Sequence, residues 1–252
     1  MQHLFHRTID ATSVLFVRPS DTERPTWVAY QQHEYLGTLH AQPDVDEKWH
    51  LQGTRERHQR LDDAIRALRR PPSWARDCEL ARRWARTLLD DPQLLILDIQ
   101  TTDLHDARAV QIGVIDRAER IIVNELINPQ APIAPAATAL HGITQSKVAS
   151  APTFAELQPR LKQALQGRRC LAYNLDFDKD VIERELRRVG APPTHQWLAR
   201  TRWEDAMHPY ATWKGLWATH RRGYRFQRLN GSYDAVKNCQ AALQTVRRVA
   251  GY

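Results

Sequence analysis

The sequence predicts an α/β protein in which a small N-terminal α+β domain precedes a mixed sheet flanked by helices. Over residues 73–252, apolar strand-like runs alternate with amphipathic helical patterns, which is typical of a sheet covered by helices. Over residues 1–72, short strand-like runs precede one helical pattern that ends at Pro71 and Pro72. Because proline removes a backbone donor and clashes with the preceding turn, we place the domain boundary at this pair.

The N-terminal domain, residues 1–72, is predicted to contain strands followed by one helix. The predicted strands are Val14–Val17 and Trp27–Tyr30, with Tyr35–Leu39 and Trp49–Gln52 as weaker candidates. Leu61, Ile65 and Leu68 then recur on one helical face. We recognise no catalytic motif in this domain, so its expected role is that of an accessory module that docks a protein partner.

The larger domain, residues 73–252, is predicted to begin with an amphipathic helix and an antiparallel meander of three strands. A capping box, Thr153 to Glu156, then starts a helix whose apolar residues are Leu157, Leu161 and Leu165. The other predicted elements are the helix Trp74–Leu89, the meander strands Leu94–Ile99, Val110–Asp116 and Ile121–Leu126, the strand Cys170–Tyr173, the helix Asp178–Val189, and helices near Trp203–Tyr210 and Tyr233–Val249.

The positive charge is concentrated in the larger domain. Residues 1–70 carry 10 Lys/Arg and 10 Asp/Glu, whereas residues 71–252 carry 26 and 19, which accounts for the net charge of +7. Such an excess favours a polyanionic partner, because Lys and Arg that bind phosphates release counterions. The alternative is that the arginines serve general solubility.

Neither a membrane span nor a signal peptide is predicted, because the sequence has no run of 18 apolar residues and its N-terminus lacks an apolar core. The three cysteines are scattered and are not spaced as metal ligands, so free thiols in a cytoplasmic protein are expected.

The segment Leu94–Leu104, LLILDIQTTDL, is the most informative stretch of the chain. Its apolar run ends in Asp98 and turns polar at once, as when a buried strand delivers a carboxylate to the edge of a sheet. The segment resembles the first motif of the DnaQ-like, or DEDDh, 3′→5′ exonucleases, which reads Asp-x-Glu-Thr-Thr-Gly. Asp98, Thr101 and Thr102 match that motif, whereas Gln100 stands at the glutamate and Asp103 at the glycine.

The resemblance extends over about 150 residues. The stretches INP (127–129), Pro132-Ile133 and LHGIT (140–144) match the family, as do WEDAM (203–207) and YRFQRL (224–229). The second motif, Asn-x-x-Phe-Asp, is matched by Asn174, Phe177 and Asp178. The third motif is a histidine followed five residues later by an aspartate, and here these positions hold Tyr233 and Asn238.

The resemblance implies a ribonuclease-H-like fold and a phosphodiester hydrolysis that uses two divalent ions, Mg²⁺ or Mn²⁺. It implies that Asp98 bridges both ions, that Asp178 serves one of them, and that Gln100 and Asn238 stand where two further carboxylates hold the other. Amides offer a carbonyl oxygen but no net charge, and each lost contact with a divalent ion is worth about several kcal/mol. We therefore expect no bound ion, or one weakly held ion at Asp98 and Asp178. Tyr233 replaces a histidine that would suit a general base, although the sister DEDDy enzymes use a tyrosine to orient the water.

The resemblance also implies which residues contact the nucleic acid. Thr101 and Thr102 stand where the family positions the terminal nucleotide, and Asn174 and Phe177 stand beside the second carboxylate. His141 also belongs to this substrate-binding set, and it is expected to order its loop rather than to serve as a ligand. In Trp203–Leu229, aromatic residues interleave with basic ones, including Arg225 and Arg228, a pattern that suits base stacking and phosphate binding. The alternative is that these aromatics are core residues and the arginines a solvated face.

Three functional hypotheses follow. The leading one is binding of single-stranded DNA or RNA 3′ ends in the exonuclease cleft, with little or no hydrolysis. The second is an active Mg²⁺- or Mn²⁺-dependent 3′→5′ exonuclease that uses Asp103, Asp176 or Asp234 as shifted ligands. A variant of this hypothesis is that the chain is an engineered inactive form of an active exonuclease. The third is a protein-interaction scaffold that does not bind nucleic acid.

Overall fold

A computed structural model describes residues 4–20, 25–42, 48–190 and 196–252, and these form two compact units. The first unit comprises residues 1–79 and 211–226, and the second comprises residues 80–210 and 227–252. In the first unit, the Arg70 Nε donates to the Gly215 carbonyl (2.7 Å), and Leu216 belongs to the apolar core. The sequence does not reveal that residues 211–226 group with the N-terminal residues. The boundary predicted at residues 72 and 73 stays a prediction.

The N-terminal part of the first unit is an antiparallel meander followed by a helix. In chain order its elements are β1 (Leu4–Ile9), β2 (Thr12–Val17), β3 (Thr26–Gln31), β4 (Glu34–Gln42), β5 (Lys48–Leu51), β6 (Arg57–His58), α1 (Leu61–Leu68) and the start of α2 (Trp74–Asp90). Strands β1 to β6 pair in sequence order, and α1 packs against this sheet through Leu61, Ala64 and Ile65. The four predicted strands and the predicted helix are therefore confirmed. Strand β1 was not predicted, because most of its residues are exposed and show no apolar alternation.

The remaining elements continue from the strand that carries Asp98. They are β7 (Leu94–Thr101), β8 (Ala109–Asp116), β9 (Ile121–Leu126), α3 (Pro135–His141), α4 (Gln145–Val148), α5 (Phe154–Leu165), β10 (Arg169–Ala172), α6 (Leu175–Arg188), α7 (Gln196–Arg200), β11 (Arg202–Asp205), α8 (Met207–Lys214), β12 (Trp217–Ala218), β13 (Gly223–Tyr224) and α9 (Ala235–Ala250). A short 3-10 turn spans Thr219–Arg221.

The sheet of the second unit has the strand order β11-β10-β7-β8-β9. Strands β7, β8 and β9 form the predicted antiparallel meander, and β10 and β11 run parallel to β7 on its other side. This is the ribonuclease-H-like arrangement that the resemblance implied, so the predicted fold class is confirmed. Strands β7 and β8 are buried almost throughout, and α5, α6 and α9 contribute apolar residues to the core around them.

The helix predicted near Trp203–Tyr210 begins later than expected, because the first residues of that range form a strand. Residues Arg202–Asp205 form β11, and a helix starts only at Met207. Local sequence favours a helix here, but β11 pairs in parallel with β10, with Cys170 opposite Trp203. The Glu204 carboxylate also accepts bonds from Arg169 Nε (2.9 Å) and Trp84 Nε1 (2.8 Å), so tertiary contacts override propensity.

Two predicted helices begin at other residues than expected, and three helices, α3, α4 and α7, were not predicted. Helix α6 begins at Leu175, three residues before the predicted start, and α9 begins at Ala235 because Tyr233 has a positive φ of 55° and Asp234 caps the helix. The missed helix α3 had a sequence signal, since Pro135 stands in its first turn and Gly142 ends it in the left-handed conformation. The predicted capping box at Thr153 and Glu156 is confirmed.

The three cysteines are free and buried. Within the described ranges, no helix has both the length and the apolar character needed to cross a membrane.

Candidate functional site

Residues from each of the three predicted motifs line one cleft in the second unit. Its cavity has a volume of about 330 Å³. Predicted site residues in its lining are Asp98, Gln100, Thr101, His141, Asn174, Phe177, Asp178, Tyr233 and Asn238. The sequence therefore identified residues that the fold brings together from β7, α3, α6 and α9 and from the segments that flank α6 and α9.

Two helices bring their motif residues to the end of β7. Helix α6 starts directly after β10, and the Asp178 Oδ1 in its first turn accepts the backbone N–H of Ile99 (3.2 Å). Helix α9 lies on β8 at Gly113, the cross-strand partner of Asp98. A Cβ atom at Gly113 would stand 2.7 Å from the Ala235 carbonyl carbon, so only glycine allows this approach. The close approach places Asn238, one turn into α9, beside Asp98.

Gln111 fixes the start of α9. Its Nε2 donates to the Asp234 Oδ2 (3.2 Å), and its Oε1 accepts the backbone N–H of Ala235 (3.1 Å). Gln111 is buried and stands opposite Gln100 in the β7–β8 pair. Sequence reasoning missed this residue, because a polar residue within a buried strand gives no signal of its partner more than 120 positions away.

Both substituted amides donate to the same oxygen of Asp98. Gln100 Nε2 lies 2.7 Å from the Asp98 Oδ2, and Asn238 Nδ2 lies 3.2 Å from it. Hydrogen bonds to a charged acceptor are stronger than those between neutral groups. The two amides thus stabilise the Asp98 carboxylate from within the protein, as a cation does in a metal site.

The two remaining carboxyls are costly to ionise. Burial raises the pKa of Asp98, and the hydrogen bonds from Gln100 and Asn238 offset part of this rise. Burial also raises the pKa of Asp178 well above its usual range, and the nearby Asp98 charge raises it further. The pair therefore favours retaining a proton when no cation is present.

These residues do not fit a two-ion centre. Two hard divalent ions need several anionic oxygens, but only two of the four positions that the resemblance assigns to metal ligands hold carboxylates, Asp98 and Asp178. At the other two, Gln100 and Asn238 direct amide N–H groups at Asp98. Across the described residues, no cluster of three or more His, Cys, Asp or Glu side chains is placed to hold a metal ion.

The three candidate shifted ligands are engaged in other contacts or lie outside the cleft lining. Asp234 caps α9 and binds the Lys237 N–H (2.9 Å), in addition to its bond with Gln111. Asp103 lines the cleft, but its Oδ1 accepts the backbone N–H of Leu104 (2.6 Å). Asp176 is exposed and is not part of the cleft lining.

Gly231 makes room for one end of the Asn238 amide. A Cβ atom at Gly231 would stand 1.9 Å from the Asn238 Oδ1, so the carbonyl end of the amide packs against this glycine. The oxygen is buried and has no hydrogen-bond partner among the described residues. Because the Asp98 carboxylate accepts and cannot donate, the Nδ2 group faces Asp98 and the Oδ1 faces Gly231.

We expect Gly231→Ala to lower the free energy of unfolding by about 1–3 kcal/mol, the usual cost of overpacking. The added methyl group cannot fit against Asn238, and Gly231 does not have a positive φ that would itself penalise alanine. In a denaturant titration, the double variant Gly231→Ala/Asn238→Ala should be only slightly less stable than Asn238→Ala alone, because the shortened side chain leaves room for the added methyl group. Gly223→Ala, where the nearest atom would be 3.7 Å away, serves as the control. Strictly additive effects of the two substitutions would contradict the contact.

Tyr233 lies at the rim of the cleft. Its side chain is 50% exposed, and its positive φ of 55° belongs to the turn that precedes α9. The ring is thus available to a ligand in the cleft.

Thr101, Thr102 and His141 form a hydrogen-bonded loop structure. His141 Nδ1 accepts the Ile143 N–H (3.0 Å), so its Nε2 carries the proton and donates to the Thr101 carbonyl (3.1 Å). Burial lowers the pKa of His141, which favours this neutral form. Thr102 Oγ1 accepts the Arg108 N–H (3.0 Å), and Thr102 is not part of the cleft lining. This geometry agrees with a loop-ordering role for His141.

Apolar residues that the sequence did not single out also line the cleft. Leu104 is 74% exposed and Leu140 is 56% exposed, and both lie in the lining with Leu229 and the half-buried Phe177. Large exposed apolar groups at a cavity mark binding surfaces. Asn174 is exposed in the same lining, at the residue before α6. The cleft lining thus combines exposed apolar side chains with polar ones.

The basic and aromatic stretch Trp203–Leu229 is divided between the two units. Arg228 belongs to the second unit, whereas Arg225 belongs to the first, where its Nη1 lies 3.3 Å from the Asp63 Oδ1. Trp217 and Tyr224, also in the first unit, pack edge to face at 5.2 Å across the β12–β13 pair. For these two aromatics the structure agrees with the packing alternative.

Comparisons with known proteins agree with the family resemblance. Residues 95–238 match the model of the exonuclease family RNase_T. An uncharacterized exonuclease of Escherichia phage 186 is 32% identical over 151 residues, which cover 59% of this chain and 75% of the phage protein. A DNA polymerase III subunit epsilon-like protein of Rhodobacter capsulatus is 33% identical over 114 residues, which cover 42% of this chain and 16% of that protein.

Among solved structures, exonuclease X in complex with 5′-overhanging duplex DNA aligns with a TM-score of 0.41 and 23% identity, covering 63% of this chain and 93% of that one. The family match spans more than half of the chain and contains all three motif regions. The protein therefore belongs to the DnaQ-like exonuclease family.

Proposed function

We propose that the protein binds the 3′ ends of single-stranded DNA or RNA in this cleft and hydrolyses them slowly or not at all. The observation that carries the proposal is the pair of amide hydrogen bonds from Gln100 and Asn238 to the Asp98 Oδ2. Members of this family generally use divalent metal ions. Here the amides direct N–H groups at the carboxylate oxygen that a cation requires, so the cleft is suited to binding without the metal that hydrolysis needs.

The cleft keeps the groups that recognise a strand end without a metal. Tyr233 and Phe177 offer aromatic rings, Leu104 and Leu140 offer exposed apolar surface, and Asn174 offers a polar side chain. Stacking of a base on an aromatic side chain contributes about 1–3 kcal/mol and does not depend on sequence. Replacing two carboxylates by amides also removes repulsion between the cleft and the phosphates.

The proposal is tested by fluorescence anisotropy with short labelled single strands in EDTA. We expect binding of both DNA and RNA that weakens steeply as salt rises, because arginine contacts with phosphates release counterions. Tyr233→Ala should weaken binding by about tenfold through lost stacking. The double change Arg225→Ala/Arg228→Ala should weaken it too, and the two single variants separate the contributions of the two units. Absence of binding at low salt for DNA and RNA alike would favour the protein-scaffold hypothesis.

Metal binding provides an independent measurement. We expect isothermal titration calorimetry to detect no ion, or one weakly held ion, at millimolar Mg²⁺, because Asp98 and Asp178 are the anionic groups that the motifs retain. Two ions bound at micromolar Mg²⁺, together with degradation of a 3′-labelled strand by the unaltered chain, would instead support an active exonuclease with shifted ligands.

A further inference from the structure

A second cavity lies beside the cleft on the segment that precedes α9. It has a volume of about 360 Å³, and its own walls are Arg228, Asn230 and Gly231. Its other lining residues, Tyr173, Leu229, Tyr233 and Asn238, are shared with the cleft. The two cavities therefore adjoin along Tyr233 and Asn238, and we call the second one the Arg228 compartment.

The two cavities differ in charge. Asp98, Asp103 and Asp178 line the cleft, whereas no carboxylate is among the described residues that line the Arg228 compartment. Arg228 is exposed and forms no ion pair or hydrogen bond with any residue that the structure describes. Its guanidinium is therefore available to an anion. A guanidinium binds phosphate with two parallel N–H donors.

The wall that carries Arg228 is fixed at both ends. The Tyr173 hydroxyl donates to the Gln227 carbonyl (2.7 Å), which holds the residue before Arg228. Three residues after Arg228, Gly231 packs against the Asn238 amide. A side chain on an anchored segment loses less freedom when it binds, so Arg228 is placed to contribute to affinity.

We propose that the Arg228 compartment holds a backbone phosphate of the bound strand, at the first or second linkage from its 3′ end. The inference rests on the proposed function, because it assumes that the terminal nucleotide occupies the cleft. A strand that leaves a cleft lined by carboxylates must carry its phosphates past them, and the adjoining compartment offers the positive charge that they require. The contact is to phosphate, so it is independent of base sequence.

The test asks whether Arg228 contacts one particular phosphate of the strand. Single strands that carry one neutral methylphosphonate at linkage 1, 2, 4 or 5 from the 3′ end are titrated in EDTA by anisotropy. For the unaltered protein, we expect neutralising linkage 1 or linkage 2 to weaken binding by about tenfold. Arg228→Gln should weaken binding of the ordinary strand by a similar factor, and neutralising that linkage should then have no further effect.

Two further variants serve as controls. Arg228→Lys keeps the charge without the bidentate geometry and should retain part of the coupling. Arg248→Gln removes an exposed arginine from the far end of α9, about 15 Å along the helix from Asn238, and should leave the pattern unchanged. A thermal melt of each variant checks that it is folded.

The outcomes separate the two proposals. Binding by the unaltered protein without coupling between Arg228 and linkage 1 or 2 overturns the phosphate site and leaves the proposed function intact. Coupling only at linkage 4 or 5 also overturns it. A complete lack of binding by the unaltered protein overturns both.

Discussion

Restoring two carboxylates is expected to raise Mg²⁺-dependent 3′→5′ degradation by about a hundredfold or more over the unaltered chain. The double change Gln100→Glu/Asn238→Asp preserves the shape of both side chains and replaces each amide donor by an anionic oxygen beside the Asp98 Oδ2. A restored charge that contributes only about 1.4 kcal/mol to metal binding raises the metal affinity about tenfold. Two such charges raise it about a hundredfold. The measurement is release of a 3′ label from single-stranded DNA and RNA with Mg²⁺ or Mn²⁺.

Tyr233→His should increase the activity of this double variant further. A histidine titrates near neutral pH and is suited to general-base catalysis, whereas a tyrosine stays protonated. The control is Gln130→Glu/Gln163→Glu, which adds the same two charges at exposed positions of the second unit and should leave activity unchanged. No degradation by the triple variant would mean that the cleft itself has been repurposed. Robust degradation by the unaltered chain would overturn the impaired-enzyme hypothesis.

The residues that the sequence placed correctly are those whose environment is encoded locally. The apolar run before Asp98 predicts a buried strand that ends at a polar edge, and β7 is buried over almost its whole length. Thr153 and Glu156 satisfy each other's backbone groups within one turn, so their pairing is readable from spacing alone. The motif residues converge because the fold of the family is retained.

The features that were missed depend on contacts between distant residues. The four residues of β11 are too few to show a periodic pattern, and their strand conformation depends on parallel pairing with β10. The grouping of residues 211–226 with the first unit depends on contacts such as that between Arg70 and Gly215, which are more than 140 positions apart.

The orientation of the Asn238 amide could not be predicted either. The sequence shows that an amide replaces a carboxylate at this position, but not which end of the amide faces Asp98. The Asp98 carboxylate accepts the Nδ2 group, and Gly231 leaves room for the Oδ1 on the other side. Spacing between motif residues identifies which side chains meet, whereas their hydrogen-bond donors and acceptors decide which atoms do.

The same double change, Gln100→Glu/Asn238→Asp, is expected to destabilise the protein when no metal is present. In the unaltered chain the two amides donate to the Asp98 Oδ2 over 2.7 and 3.2 Å. The variant loses both bonds, each worth about 1.5–3 kcal/mol because the acceptor is charged, and brings like charges together in a buried cleft. We expect a loss of at least about 3 kcal/mol in the free energy of unfolding. For domains of this size, that corresponds to a fall in Tm of about 6–12 °C.

The melting experiment compares EDTA with Mg²⁺ at pH 8. At this pH the added carboxyl groups are more fully ionised, so they repel the Asp98 carboxylate more strongly. The unaltered chain should melt at the same temperature in both, because its amides already stabilise Asp98. The double variant should melt lower in EDTA and recover in Mg²⁺, since a ligand that binds only the folded state stabilises it. Gln130→Glu/Gln163→Glu should show neither effect. An unchanged Tm for the double variant in EDTA would mean that the amides do not replace a cation, and the account of the cleft as a metal-independent binding site would lose its physical basis.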